Sequence, residues 1–375
     1  MQYTTRLASN PARLQFPLAV DGPARWKPVQ ADVGALGSVW QTTVDLTHLP
    51  ELTKAHIIVP SYACLDSGYQ YQWSLHCTAP HAENTLAPIV PSNTDKWSGF
   101  AETSLDDNVI SAKIDCWHTE RSVGGLSARL TVYLPASTKA PADDLLSLSL
   151  RPLDLTAIEL PKRADAVCVE RPLAISQMQA DASIAKRICS PTATAMAVAG
   201  ASALAVWPGA ITACLDPATK AYGKWPLAIY WASQHGRLGA VEALVNWQQV
   251  LCVLRAGTAL VCSIRFAKST LPGAPMEQSG GHLLVLYGIE FDGEEGYALV
   301  MDPAADSNDQ VPRRYKLRAF SDAWLAYRGG AYLFTPNIGG GAYLFTPNIG
   351  GGVYPRTPNF FPPNQGGAAL PKAAS

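Results

Sequence analysis

Two short stretches hold the side chains that could together act as a nucleophilic apparatus. "RICSPTATAMAVAG", Arg187–Gly200, carries Cys189 beside Ser190 and Pro191. "GGHLLVLYGIEFDGEEGYALVMDPAADS", Gly280–Ser307, carries His282 and Asp302. A cysteine attacks as its thiolate, so it needs a lowered pKa and a base within reach. Pro191 suits the first turn of a helix, and the Ala-rich run after it favours one. The unpaired N–H groups and the dipole at a helix start favour a thiolate. The second stretch reads as a hairpin, two apolar strands around a turn at Asp292–Gly296. A turn centred near residue 293 brings His282, at the start of one strand, opposite Asp302, at the end of the other. A carboxylate beside an imidazole fixes its tautomer and supports its cation. Nucleophile, proton shuttle and orienting acid are then all present. Taken singly, each has a plainer reading: Cys189 as a small buried hydrophobe, His282 with Asp302 as an ordinary pair at a sheet edge.

The elements that must position these residues occupy the second half of a 375-residue chain. That length fits two domains and a tail. Residues 1–160 read as all-β. "YQYQWSLHC" alternates, with Tyr69, Tyr71, Trp73, Leu75 and Cys77 on one face, and "RLTVYL" alternates through Leu130, Val132 and Leu134. Period-two alternation marks half-buried strands. "SVGGLS" has the composition of a hairpin turn, and short strands between turns suggest a β-sandwich. "ASTKAPADD" and "LPKRADA" read as joints on either side of "LLSLSLRPL". From 167 to 336 the texture is α+β. "PTATAMAVAGASALAV", "PLAIYWASQHG" and "WQQVLCVLRAG" read as helices, the last two stopped by Gly236 and Gly257. Strands follow in "TALVCSIRF", the hairpin and "GAYLFTP". "GAYLFTPNIGG" occurs at 330–340 and again at 341–351. The first copy reads as the last strand. The second, with the Gly- and Pro-rich remainder of 337–375, reads as a disordered tail.

Composition narrows the partners. The net charge is −1 with no basic stripe, which disfavours nucleic acid and anionic membrane surfaces. No run of about 18 apolar residues spans a bilayer. Without a basic and then apolar N-terminal segment the chain as written reads as cytoplasmic; a true start further upstream would make it secreted. The 8 cysteines, at 64, 77, 116, 168, 189, 214, 252 and 262, form no C-x-x-C pair. That disfavours a disulfide framework or zinc ribbon and leaves most as buried thiols, Cys252 and Cys262 among them. No cofactor and no metal are expected. His76 with Cys77, and Cys116 with His118, would have to converge to bind one, and strand alternation sends His76 and Cys77 to opposite faces. Asp306 and Asp309 read as a solvated loop.

Beyond these local readings, the chain over about 167–336 resembles the double-glycine-leader-peptidase-like cysteine peptidases, family thirty-nine of the papain-like clan, in its broad bacterial branch. "RPLAISQMQADASIAKRICSPTATAMAVAG" carries the likeness, with "GKWPLAIYWAS", "GAPMEQSGGHLLVLYGIEFDG", "YALVMDPAADSNDQVPRRY" and "FSDAWLAYRGGAYLF" in order. "HIIVPSYAC" and "VGGLSARLTVYL" resemble the N-terminal sandwich of bacterial relatives. The resemblance implies a multidomain chain, an all-β sandwich-like domain followed by an α+β papain-like cysteine peptidase domain. It implies Cys189 as nucleophile, His282 as general base and acid, Asp302 as orienting carboxylate and Gln177 as an oxyanion-hole amide. Gln177 stands 12 residues before Cys189, a longer interval than in compact members, and can also be read as a polar loop residue. The implied partner is a peptide or protein substrate, with a possible ligand or glycan at the N-terminal domain. Amidase or transpeptidase action on small γ-glutamyl or cell-wall peptides would use the same apparatus. A non-catalytic peptide- or glycan-binding protein is the third reading.

Overall fold

The structure is a computed structural model that describes residues 1–335 apart from 15–16, 34–36, 54, 93, 105–107, 154 and 156. The repeat at 341–351 and the tail therefore lie outside the described residues. The first eleven strands are β1 (Tyr3–Ala8), β2 (Gly22–Pro23), β3 (Lys27–Val29), β4 (Ser38–Leu46), β5 (His56–Cys64), β6 (Gln70–Thr78), β7 (His81–Thr85), β8 (Ile110–Lys113), β9 (Cys116–Thr119), β10 (Leu126–Leu134) and β11 (Asp144–Pro152). They form a six-stranded sheet, β2-β1-β11-β5-β9-β8, and a five-stranded sheet, β3-β4-β10-β6-β7. The alternating residues of β6 and β10 meet Ile58, Tyr62 and Cys64 of β5 and Leu146, Leu148 and Leu150 of β11 in one core. "SVGGLS" is not a hairpin. It joins β9 in one sheet to β10 in the other, so the strands it connects are not neighbours.

Strands β5 and β11 are buried on both faces. The second face of β5 and β11, with Ile57, Val59, Ala63 and Leu145, enters a core shared with the rest of the chain. That part comprises β12 (Val167–Cys168), α1 (Cys189–Val198), α2 (Ala203–Cys214), α3 (Trp225–Gln234), β13 (Gly239–Ala243), α4 (Trp247–Arg255), β14 (Leu260–Phe266), β15 (Ser279–Asp292), β16 (Glu295–Met301), β17 (Pro312–Lys316), α5 (Leu317–Ala323) and β18 (Gly330–Phe334). The sheet is antiparallel in the order β13-β18-β14-β15-β16-β17, with β12 added on β15. The first copy of the repeat supplies β18. The Ala-rich run read as one helix is two, α1 and α2, broken where Gly200 takes φ +52°. Strands β13 and β17 carry no strong alternation of their own and were not legible in the sequence.

"LLSLSLRPL", read as lying between joints, is the middle of the molecule. Leu146, Leu148 and Leu150 face the core between the first two sheets, and Leu145, Ser147, Ser149 and Arg151 face the other way. Edge strand β13 donates its outward N–H groups to side chains rather than to another strand: Val241 to Ser61 Oγ at 3.0 Å and Ala243 to Ser149 Oγ at 3.1 Å. Arg6 grips the Glu242 carboxylate with two N–H groups, and Ser147 adds a third donor. The buried guanidinium of Arg151 donates to the carbonyls of Leu244 and Leu325. Asp115, in the β8–β9 turn, accepts the N–H of Trp225 at the start of α3.

Burial pushes the Asp115 carboxyl up to about 7, against its hydrogen bond from Trp225 and the charges of Lys224 and Arg328. Its folded pKa is raised, so the folded chain holds a proton that the unfolded chain has released. Stability from this group is full below about pH 4 and falls as pH rises toward 7. Asp115→Asn should therefore raise the urea midpoint at pH 8 and lose that advantage by pH 4. A shift of this size corresponds to at most about 4 kcal/mol.

Candidate active site

Helix α1 begins at Cys189 and is buried almost all round, so its sequence is small and apolar rather than amphipathic. Ile188 precedes it without a side-chain cap, and the first-turn N–H groups stay available. Pro191, third in the helix, removes an N–H that had no helical partner. Thr192 and Thr194 turn their hydroxyls back onto the carbonyls of Ile188 and Ser190, and Trp207 donates to Thr192. The start of α1 is thus fixed, and Cys189 keeps partial exposure.

His282 lies on β15, paired with Ile264 of β14. Its Nε2 meets Asp302 Oδ1 at 2.7 Å, with side-chain exposures of 3% and 1%. The ring and the Cys189 sulfur also act on each other, each shifting the other's titration. The predicted neighbours do meet, though not directly across the ladder. The β15–β16 pairing ends at Val285 and Met301 and contains a bulge between Leu286 and Gly288. His282 and Asp302 sit beyond that last pair, two positions off direct opposition, and touch diagonally. Asp302 is otherwise fully engaged. Oδ1 also accepts from the Ala304 N–H at 3.0 Å, and Oδ2 accepts from the Tyr315 hydroxyl at 2.7 Å.

The electrostatics follow from these contacts. Burial alone would raise the Cys189 thiol. The hydrogen bond and charge of His282, with the N–H groups of Leu283 and Ser190, bring it below its ordinary value. Burial opposes the His282 cation, yet Asp302 and Cys189 push the ring up to about 10. Burial likewise opposes the Asp302 carboxylate, but His282, Tyr315 and Ala304 hold it below the usual range. The arrangement supports a thiolate–imidazolium pair at neutral pH. By contrast, burial pushes the Cys64, Cys116, Cys168, Cys214 and Cys262 thiols up. Cys252, expected inside, is exposed. Helix α4 turns Val250, Leu251, Val253 and Leu254 inward and leaves position 252 outside.

Gln177 is buried in a 3-10 turn, and its N–H donates to the carbonyl of Pro303, next to Asp302. Its Nε2 donates to Ala185 O at 2.7 Å, and its Oε1 has no partner among the described residues. One of the two Nε2 hydrogens is thereby engaged, and the second remains for another acceptor. Ser176 ties the same element to the loop after Asp302 through Ala305 O and Asn308 Oδ1. The sequence reading missed Tyr315. Strand β17, PRRYK, shows no clear alternation to flag it, and nothing in its residues names Asp302 as the partner. Gly280 and Gly281 are exposed, and a Cβ at either would meet nothing within 4 Å. Trp225 and Pro226 are buried at the start of α3. Asp306 and Asp309 are exposed. Among the described residues no three His, Cys, Asp or Glu side chains are grouped as metal ligands, and no helix is long and apolar enough to cross a membrane.

Residues 173–332, the span that holds all of this geometry, match the Peptidase_C39 like family. The match supports a C39-like peptidase domain over these residues, after the β-rich region. No curated protein and no solved structure matches the chain.

Tyr315→Phe should cost about 1–3 kcal/mol in denaturant unfolding, because it leaves Asp302 Oδ2 buried without a donor. Asp302 would then protonate at higher pH. The acid limb of Cys189 reactivity, followed by alkylation, should move upward.

Proposed function

We propose that this chain is a papain-like cysteine peptidase, with residues 167–336 as the catalytic domain and residues 1–160 as a β-sandwich accessory domain. The observation that carries the reading is the thiol of Cys189, lowered in contact with an imidazole that a buried carboxylate holds. Cys189 Sγ attacks the carbonyl carbon of a peptide or isopeptide bond. His282 gives its Nδ1 proton to the leaving amine, and a thioester remains on Cys189. His282 then takes a proton from water, the hydroxide attacks the thioester, and the thiolate returns as the acid product leaves. The Cys189 N–H and the free Nε2 hydrogen of Gln177 would stabilise the oxyanion in both halves. Gly280 and Gly281, bare and exposed just before His282, give an extended substrate room to approach the backbone.

An iodoacetamide titration tests the nucleophile. Cys189 should alkylate faster than the other cysteines at neutral pH, with a midpoint below that of a free thiol. Below that midpoint the thiolate protonates and the rate falls. His282→Ala should move the midpoint upward. Cys189→Ala should abolish turnover in a peptide-library digest, and Gln177→Ala should lower kcat about 100- to 1000-fold. Equal alkylation of Cys189 and the buried thiols, unchanged in His282→Ala, would sink the reading.

A further inference from the structure

We propose that Asp115 is a positioning residue for Cys189, acting from the β-rich region through α3 and β18. The proposal rests on the peptidase reading for its turnover assays alone; its thiol assays stand without it. Asp115 lies in the two-residue turn that closes β8 on β9 at Lys113 and Cys116. Its neighbour Ile114 is exposed at φ +66°. A β-branched residue there is strained, and a turn serving only to reverse two strands favours Gly or Asn. Strain of this kind persists where surrounding structure over-determines it.

What the turn delivers is a buried carboxyl at the start of α3. Oδ2 accepts the N–H of Trp225 at 2.7 Å. Trp225 is the first residue of the helix, so no carbonyl of α3 can take that N–H. Packing on this side is incomplete. Asp115 and Pro226 border a small cavity with Tyr71 and Trp73, whose hydroxyl and indole N–H have no partner among the described residues. The hydrogen bond thus adds to the Lys224–Asp216 ion pair in fixing the end of α3.

From there the contacts run to the nucleophile. The Trp225 ring packs edge-on against Tyr332 of β18, with centroids 6.4 Å apart. Gly330 makes room for it, since a Cβ there would come within 3.3 Å of the indole. The Tyr332 hydroxyl meets Ser190 Oγ at 3.0 Å. Ser190 follows Cys189 in the first turn of α1, and its N–H helps to hold the thiol below its ordinary value. A shift at Trp225 is thus passed through two buried side chains to the backbone that holds the thiolate.

The test uses the full chain. Asp115→Ala should slow alkylation of Cys189 by iodoacetamide roughly tenfold and lower kcat comparably with KM little changed, as a small misplacement does. Asp115→Asn keeps an oxygen for the Trp225 N–H and should restore both. Tyr332→Phe cuts the far end and should reproduce the loss. The Asp115→Ala/Tyr332→Phe double variant should be no slower than the poorer single, because both act through one path. Wild-type rates in Asp115→Ala, multiplied losses in the double, or no rescue by Asp115→Asn would each overturn the proposal. If Asp115→Ala does not fold, the two isosteric variants decide: wild-type rates in Asp115→Asn and a tenfold loss in Tyr332→Phe support it, and any other pairing overturns it. A wild type that alkylates as expected but turns over no peptide removes the peptidase reading, while the alkylation series still decides the role of Asp115.

Discussion

An imidazole and a carboxylate 2.7 Å apart, both almost fully buried, set the terms for everything around them. Taking two charges out of solvent is expensive, and their attraction offsets that only when the leftover lone pairs and protons are also met. Here three separate elements meet them. Tyr315 comes from β17, the Ala304 N–H from the loop after β16, and the Cys189 sulfur from the head of α1. Tyr315 is the one donor to Oδ2, so removing it leaves that buried oxygen without a partner, while Oδ1 keeps His282 even without Ala304. That requirement explains why α1 is so poor in charge and so rich in small residues. A helix seated against a buried ion pair has no water-facing side on which to place polar residues.

The β-rich half belongs to the same argument. Its six-stranded sheet is a shared wall, with Leu146, Leu148 and Leu150 turned to one core and Leu145, the serines and Arg151 turned to the other. Hydroxyls are small enough to lie inside an interface and still accept an N–H. A lysine or glutamate at those positions would prop the layers apart. The two-sidedness of β11 is therefore a packing solution to a polar problem, the unpaired backbone of β13.

How much of this the sequence displayed depended on range. The helix start at Cys189 and the hairpin carrying His282 are local patterns, and both stood out. The meeting of His282 with Asp302 was legible too, but its diagonal offset was not, because the bulge at Tyr287 has no signature in residue type. Tyr315 was hidden because its role is fixed by the register of β17 on β16, a long-range fact. Gln177 was found through family likeness, but its bond to Ala185 came only with the fold. The buried roles of Ser147 and Ser149 had no signal either, since serine in a strand ordinarily goes with solvent. Cys252 misled in the opposite sense: an apolar run does not say which of its members a helix turns outward.

The serine hydroxyls on β13 carry one more consequence. A sheet edge with free N–H groups is a template on which any extended chain can align. Inside the intact molecule that template is occupied by side chains, which cannot extend into a further strand. Residues 167–335 produced alone would bare it, together with the apolar face beneath. The β-rich region is thus a built-in guard against self-association, whatever else it binds.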